Sequence, residues 1–172
     1  TSVSANSSTG YHFVQWSDGV TDNPRTETNV TANNSVTATF TTNTYTLNYS
    51  AGEHGSIAGT TPQTVNHGGN GTSVSADPST GYHFVQWSDG VTANPRTDTN
   101  VTANKSVAAV FTINTYTLTY TAGQHGQIYG TSQQTVNHGE DGSWVCALQD
   151  NGYKFTTWND GITNPLRKEL NV

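Results

Sequence analysis

The sequence is poor in several residue types, and each shortage excludes a class of protein. Only 6 of its 172 residues are Lys or Arg and the net charge is −6, so no basic stripe can displace counterions from phosphates, and nucleic acid is not an expected partner. A single cysteine, Cys146, excludes a disulfide within the chain. No apolar run approaches the roughly 20 residues of a membrane-spanning helix, so no membrane insertion is expected. No signal-peptide pattern follows Thr1, and we expect this segment to be part of a longer chain.

Charged and apolar residues are also scarce. They make up 10% and 31% of the chain, both low for a globular protein, and Thr, Ser, Asn and Gly take their place. No stretch shows helical periodicity over three turns. This composition suits strands with a polar outer face, so we predict an all-β protein without a substantial helix. The lack of methionine, the scarcity of lysine and the abundance of Thr and Asn are typical of an exported bacterial surface protein.

One motif occurs three times along the chain. It reads GYHFVQWSDG at 10–19 and at 81–90, and it returns as GYKFTTWNDG at 152–161. The copies are 71 positions apart, and a fixed period of that size indicates tandem structural modules. We divide the chain into the C-terminal part of repeat one (1–42), a complete repeat two (43–113) and a repeat three that lacks its last strand (114–172).

Alternation of apolar and polar residues predicts the strands of repeat two. They are strands at 44–50 and 56–59, a strand through Thr72, Val74 and Ala76, an aromatic strand at 82–88, and a last strand through Val107, Ala109 and Phe111. The intervening segment 61–71 is turn-rich, with Val65 as its only strongly apolar anchor.

The aromatic residues of the repeated motif are the predicted core. Trp87 lies three residues after Phe84 and would point to the other face of a regular strand, so a β-bulge near Val85 and Gln86 is expected to return it to the core. The predicted core residues are Tyr11, Phe13, Trp16, Phe40, Tyr82, Phe84, Trp87, Phe111, Tyr153, Phe155 and Trp158.

The repeats follow one another closely. Only four residues separate Phe40 from Tyr45, and only four separate Phe111 from Tyr116. Neither linker is Pro-rich or charged. Neighbouring repeats are therefore expected partners of one another, in a semi-rigid rod.

The order of these motifs resembles a known family. Repeat two starts with TYTLNYSAGEHGSI, carries GYHFVQWSDG in its middle and ends with NPRTDTNVTANKSVAAVF. In this order the motifs resemble the divergent internalin-type B-repeat family of bacterial cell-surface proteins, over essentially the whole chain. The resemblance implies a small β-grasp-like module, found in tandem in exported proteins and placed in stalks. It offers no catalytic residue to carry over.

The histidines and the Asp-Gly sequences suit turns better than metal sites. No two of the six histidines have the spacing of a zinc site, and His83 is replaced by Lys154 in repeat three. Asp18, Asp89 and Asp160 each precede Gly without the pattern of a calcium loop, and Asp-Gly is a turn sequence. No metal or other cofactor is expected. Catalysis is not expected either, because there is no Gly-x-Ser-x-Gly elbow and candidate residues recur in neighbouring repeats.

Repeat three departs from the pattern where small or polar residues become larger and more apolar. The substituted positions are Tyr129, Trp144, Cys146, Leu148 and Leu170, in place of Ala58, Ser73, Ser75, Asp77 and Thr99. Val145 keeps the inward phase of Val74, so Trp144 and Cys146 should point outward. These changes are drift, or Trp144 is covered by a neighbouring module of the same chain, or the residues form a binding or assembly patch.

The leading functional hypothesis is a non-catalytic structural and interaction protein. It would form an extracellular stalk or fibre of a bacterial surface protein or adhesin, at the cell surface or secreted. A carbohydrate-binding module is the alternative if Trp16, Trp87 and Trp158 lie exposed in a row. Another is a self-assembling filament subunit, in which open strand edges of the first and third repeats recruit other copies head to tail. Further candidate partners are a host or cell-surface protein and a glycan.

Overall fold

The computed structural model describes residues 1–172 and consists of strands and turns. The prediction of an all-β tandem repeat is confirmed, and no helix able to cross a membrane is present. Repeat one contains β1 (Ser2–Val3), β2 (Tyr11–Trp16), β3 (Arg25–Thr26) and β4 (Ala38–Thr42). Repeat two contains β5 (Thr44–Ala51), β6 (Gly55–Ala58), β7 (Gln63–Asn66), β8 (Ser75–Pro78), β9 (Tyr82–Trp87) and β10 (Lys105–Ile113). Repeat three contains β11 (Thr115–Thr119), β12 (Gly126–Tyr129), β13 (Gln133–Asn137), β14 (Val145–Gln149) and β15 (Leu166–Arg167).

Repeat two has one four-stranded sheet in the order β7-β5-β10-β9 and a two-stranded sheet of β6 and β8. The first and last strands of the repeat, β5 and β10, are adjacent and parallel, with Lys105 opposite Leu47 and Ala109 opposite Ala51. Strand β7 is antiparallel to β5. The apolar phase of the strands faces inward, and its buried residues are Leu47, Tyr49, Val65, Val74, Ala76, Trp87, Val107 and Ala109.

Repeats one and three contain strand pairings that correspond to those of repeat two. In repeat one β2 pairs with β4 and β1 with β3. In repeat three β11 pairs with β13, and β12, β14 and β15 form a three-stranded sheet. Its core contains Tyr120, Val145, Ala147 and Trp158.

The bulge expected in the aromatic strand is confirmed in repeat one. The register of β2 against β4 shifts between Phe13 and Gln15, so Val14, the counterpart of Val85, is the extra residue. The bulge turns the strand so that the rings of Phe13 and Trp16 lie 5.6 Å apart.

Strand β7 (Gln63–Asn66) lies in the segment 61–71, which is predicted to be turn-rich and is not assigned a strand from the sequence. Gln63 and Val65 alternate inward, and both are buried. The polar Gln63 concealed this alternation in the sequence. Its side-chain amide donates to the carbonyls of Thr60 (2.8 Å) and Thr72 (3.0 Å), and its oxygen accepts from the Thr72 N–H (2.7 Å), so it is satisfied inside the repeat.

Of the eleven predicted core aromatics, eight are buried or half-buried and three lie at the surface. Trp16, Trp87 and Trp158 are 6%, 0% and 9% exposed, and the side chains of Phe13, Tyr82, Phe84, Phe111 and Phe155 are half-buried. Tyr11, Tyr153 and Phe40 are 49%, 53% and 37% exposed, so assigning them to the core was wrong. The reason is visible at Tyr153, whose ring stacks flat on His125 at 4.0 Å instead of pointing inward. One ring face is covered while about half of the residue stays exposed, as suits the amphipathic tyrosine side chain.

The chain divides into two compact units that do not follow the sequence period. One comprises 1–52, 56–77 and 86–110, and the other 53–55, 78–85 and 111–172. Repeat one therefore shares a compact unit with most of repeat two. Three short segments of repeat two, 53–55, 78–85 with the Gly81 turn, and 111–113, share the other unit with repeat three.

Candidate interaction surfaces and repeat junctions

A buried tryptophan, an arginine and two carboxylates occur together in each repeat. In repeat two the Arg96 guanidinium lies 5.6 Å from the centre of the Trp87 ring. Its two terminal nitrogens donate to the two oxygens of Asp89 at 2.7 Å each, and its Nε donates to Asp98 at 2.7 Å. Arg96 is only 3% exposed, so its charge is neutralised inside the repeat by two carboxylates.

The same arrangement recurs with the period of the sequence. Arg25 lies over Trp16 and Arg167 over Trp158, at 5.7 and 5.5 Å. The carboxylate partners are Asp18 and Glu27 in repeat one and Asp160 and Glu169 in repeat three. The recurrence of arginine every 71 residues was the signal for these clusters, and the sequence reasoning did not use it.

The aspartate of each Asp-Gly turn thus makes two interactions, one with the turn backbone and one with the arginine. Asp89 Oδ1 accepts from the Val91 N–H at 3.4 Å, which fits the predicted turn, and the same carboxylate binds Arg96. The hydrogen bond from Arg96 holds the pKa of Asp89 below its usual value, although burial opposes it. In repeat one the hydrogen bond from Arg25 lowers the pKa of Asp18 to about 2. These carboxylates are therefore ionised partners of the arginines over the physiological pH range.

Asp98 joins three side chains in repeat two. Arg96 is the main cause that lowers its pKa, burial opposes the shift, and Lys105 and Tyr49 add to the lowering. The Lys105 ammonium lies 2.5 Å from Oδ1, and the Tyr49 hydroxyl donates to Oδ2 at 2.7 Å. Burial, followed by this carboxylate, raises the pKa of Tyr49.

Repeat three lacks part of this network. Glu169 takes the place of Asp98 and accepts from Arg167 Nε. Tyr120, the counterpart of Tyr49, is buried and its hydroxyl has no hydrogen-bond partner. Burial, and then Glu169, raises its pKa. A buried hydroxyl without a partner is uncommon in a folded protein.

The junction between repeats one and two is built around Asn43. Its backbone N–H donates to the Gly10 carbonyl and its own carbonyl accepts from the His67 N–H, both at 2.8 Å. Its side-chain oxygen accepts from His12 Nδ1 at 2.7 Å. The imidazole of His67 covers Gly10, and its Nδ1 is 3.3 Å from the Tyr45 hydroxyl.

The junction between repeats two and three repeats this arrangement. Asn114 N–H donates to the Gly81 carbonyl and Asn114 O accepts from His138 N–H, again at 2.8 Å. His83 Nδ1 donates to the Asn114 side chain at 2.7 Å. A Cβ on Gly81 would lie 2.1 Å from His138 Cδ2, so the imidazole occupies the space that any other residue would need.

The histidines are placed by contacts of the fold. Besides the four at the junctions, His54 and His125 stack on Tyr82 and Tyr153 with ring centres 4.0 Å apart. No group of three or more His, Cys, Asp or Glu side chains is arranged to hold a metal ion.

The structure brings four of the five substituted positions of repeat three to the outer face of one sheet. Tyr129 lies opposite Cys146, and Cys146 lies opposite Leu166. Trp144 and Leu148 flank Cys146 on the same face of the β14 segment, and Val145 is buried on the other face. Tyr129 and Trp144 are 70% and 58% exposed. We call Tyr129, Trp144, Cys146, Leu148 and Leu166 the apolar face.

Leu170 and Leu166 differ from the predicted patch in opposite ways. Leu170 is 67% exposed, but no strand pairing joins it to the apolar face. Leu166 takes the place of Pro95. The prediction of the patch missed this residue, although the exchange is visible in the sequence as a further gain of apolar surface.

Repeat three also contains a groove of about 660 Å³. One wall is formed by residues 117–124 and the other by residues 154–159. Ile128, Ala147 and Trp158 also line it, together with Tyr120.

Comparison with known proteins identifies the repeats. The family model described as divergent InlB B-repeat domain matches residues 1–44, 45–115 and 116–171. No curated protein and no solved structure matches the chain.

Proposed function

Because the chain belongs to the divergent InlB B-repeat domain family, we propose that it is a non-catalytic part of an extracellular stalk or fibre, in a bacterial surface protein or adhesin. Family membership supports a repeat protein of the bacterial surface or extracellular space. The stalk role is our extension of that membership. The observation that carries it is the junction between repeats, which occurs twice with the same contacts.

A stalk needs joints that resist bending. The Asn43 junction has two backbone hydrogen bonds and one side-chain bond, and a histidine fills the space above the glycine. The Asn114 junction has the counterparts of all of these. In a flexible linker the backbone N–H and C=O groups would bind water. A linker that is hydrogen-bonded to the repeats on both sides restricts the orientation of neighbouring repeats.

The second junction offers a test with a matched control. Gly81 and Gly90 have nearly equal backbone angles, φ +81 and +85, so alanine at either position carries the same left-handed strain. Only Gly81 is covered by His138, and nothing lies within 4 Å of a Cβ on Gly90. We expect Gly81→Ala to open the Asn114 junction and Gly90→Ala to leave it closed.

The measurement is ¹⁵N relaxation of repeat three in the complete chain. Gly81→Ala should shorten the rotational correlation time of repeat three relative to Gly90→Ala, at similar melting temperature of the Trp158 core. Equal correlation times in the two variants would mean that the junction does not restrain the repeats, and the stalk proposal would lose its support. Labelling intact cells of the source organism with an antibody against the chain tests the extracellular location.

The carbohydrate-binding alternative depended on an exposed row of the repeated tryptophans. All three are buried, so they do not offer such a row. The exposed aromatics are instead Tyr129 and Trp144 on the apolar face, where the neighbouring side chains are Cys146, Leu148 and Leu166. A glycan platform combines aromatic rings with hydrogen-bonding groups, whereas this composition favours a protein surface as the partner.

A further inference from the structure

We propose that the apolar face of repeat three is the contact surface of a two-fold symmetric dimer, in which it packs on the same face of a second copy of this chain. The face occupies the outer side of the sheet formed by β12, β14 and β15. This inference does not depend on the stalk role proposed above, because it concerns the surface of one repeat.

The exposure of the face belongs to its position in the repeat. In repeat two the five counterparts show the same burial, since Ser75 is half-buried and the others are exposed: Ala58, Ser73, Asp77 and Pro95. Repeat two contains its last strand, β10, and has a repeat on either side in the sequence. Strand β10 lies in the other sheet of the repeat. What distinguishes repeat three is thus the chemistry of this face and not its accessibility.

The absence of charge on the face favours a second copy as its occupant. None of its five side chains is charged, and Leu148 stands where repeat two has Asp77. The chain carries a net charge of −6, so two copies repel each other and approach most easily where no carboxylate lies in the contact. A basic partner would be attracted to carboxylates, which this face does not offer.

The arrangement of the face suits a two-fold axis. Cys146, its smallest side chain, lies in the middle. Tyr129 and Leu166 lie opposite it on the neighbouring strands, and Trp144 and Leu148 flank it along its own segment. A two-fold axis through the middle of the face places Cys146 opposite Cys146 of the second copy. The small side chains at the centre leave room for the larger ones around them to interdigitate across the contact.

The size of the face sets the expected affinity. A tryptophan or tyrosine side chain presents about 150 to 250 Å², and Trp144 and Tyr129 are 58% and 70% exposed. With Leu148 and Leu166 at 39% and 46%, the face exposes on the order of 500 Å², a size at which the largest patch of a monomer is often functional. Two copies would together bury on the order of 1,000 Å², more than most lattice contacts and less than a permanent dimer. We therefore expect a reversible dimer at micromolar to millimolar concentration.

The test measures the mass of the complete chain over a concentration series, with repeat two as the source of the substitutions. Sedimentation velocity in reducing buffer, from about 1 μM to about 1 mM, should show the weight-average mass rising toward that of a dimer. Trp144→Ser combined with Leu148→Asp gives the face the residues of repeat two, Ser73 and Asp77, which are exposed there as well. Leu170→Thr is the matched control, because Leu170 is 67% exposed but lies off the face.

We expect the double variant to raise the dissociation constant of the dimer by at least about tenfold, because exposed aromatic anchors dominate such contacts. The control should match the unchanged chain, and all three should have similar melting temperatures at low concentration. Each substitution is also made alone, which keeps the comparison if the double variant is unstable.

The position of the two-fold axis is tested through Cys146, which is half-buried and is the only cysteine of the chain. A short bismaleimide should link it to Cys146 of the second copy at least about tenfold faster in the unchanged chain than in the double variant. A chain that stays monomeric at about 1 mM, as it would if a glycan or another protein covered the face, would overturn the proposal. A dimer that the double variant retains, or in which Cys146 is not linked, would overturn it as well.

Discussion

Replacing Trp87 by alanine tests whether the repeated tryptophan holds its own repeat together. Trp87 has no exposed surface, its ring meets the Tyr49 ring edge-to-face at 5.9 Å, and the Arg96 guanidinium covers it. Its Nε1–H donates to the Ala93 carbonyl at 3.0 Å. Alanine would remove all of these contacts at once and leave a cavity beside a buried charge.

The expected cost is at the upper end of the range for large core truncations. Burial and the cavity contribute about 3 to 5 kcal/mol. The lost hydrogen bond adds about 1 kcal/mol because the Ala93 carbonyl loses its partner. A total near 5 kcal/mol is comparable to the whole free energy of unfolding of a small domain. We therefore expect Trp87→Ala to unfold repeat two. Repeat three should lose the stabilising contacts of the Asn114 junction but keep its own core of Tyr120, Val145, Ala147 and Trp158.

Trp144→Ala is the matched control. Trp144 is the same residue type but is 58% exposed on the apolar face, and a surface substitution is expected to change stability by less than about 0.5 kcal/mol. Urea unfolding followed by circular dichroism gives the free energies, and hydrogen exchange assigns the loss to a repeat. If both variants shift the unfolding curve equally, the tryptophan of the motif is not the centre of the repeat and the structural reasoning fails.

Three further predictions concern the charged and polar groups of the cores. Arg96→Met should cost about 3 kcal/mol because it removes the main partner of the buried Asp98 carboxylate, which keeps only Lys105 and Tyr49. Arg25→Met should cost less because its carboxylate partners are more exposed. Tyr49→Phe should destabilise by about 1.5 to 3 kcal/mol, the value of a hydrogen bond to a charged group, whereas Tyr120→Phe should be neutral or stabilising. Acid should lower the free energy of unfolding of repeat two below about pH 4. Asp98 has a lower pKa in the folded repeat than in the unfolded chain. The stability that its ionised form contributes is therefore complete above the unfolded-state pKa and is lost as the pH falls toward the folded-state pKa.

Each of these predictions has an outcome that contradicts it. Equal urea midpoints for the Arg96 and Arg25 variants would show that burial of the carboxylates does not set the cost. A loss of stability in Tyr120→Phe would mean that its hydroxyl has a partner. A urea midpoint for repeat two that stays constant from pH 6 to about pH 2 would contradict the lowered pKa of Asp98.

The sequence predicted those parts of the fold that local patterns encode. Alternation located most strands of repeat two, and the three-residue spacing from Phe84 to Trp87 indicated the bulge that repeat one shows at Val14. It failed where a polar residue faces inward. Gln63 in β7 and Arg96 beside Trp87 are buried because each finds every partner it needs inside the repeat, and partners distant in sequence cannot be seen in a local pattern.

Surface features were predictable only in part. The phase of Val145 correctly placed Trp144 and Cys146 outward, because a strand turns alternate residues to opposite faces. The pairing of Cys146 with Leu166 depends on where β15 lies, which no periodicity gives. Likewise, the alternation in β10 fits a parallel or an antiparallel neighbour equally well, so its pairing with β5 needed the structure.

The parallel pairing of β5 with β10 has a mechanical consequence. Because these are the first and last strands of repeat two and run in the same direction, tension applied at Thr44 and Ile113 pulls them past each other along their length. The hydrogen bonds between them then carry the load together, instead of breaking one after another as they would in an antiparallel hairpin pulled from its open end. Single-molecule stretching should therefore show a higher unfolding force for repeat two when it is pulled through residues 44 and 113 than through 44 and 66, the antiparallel partners in β5 and β7.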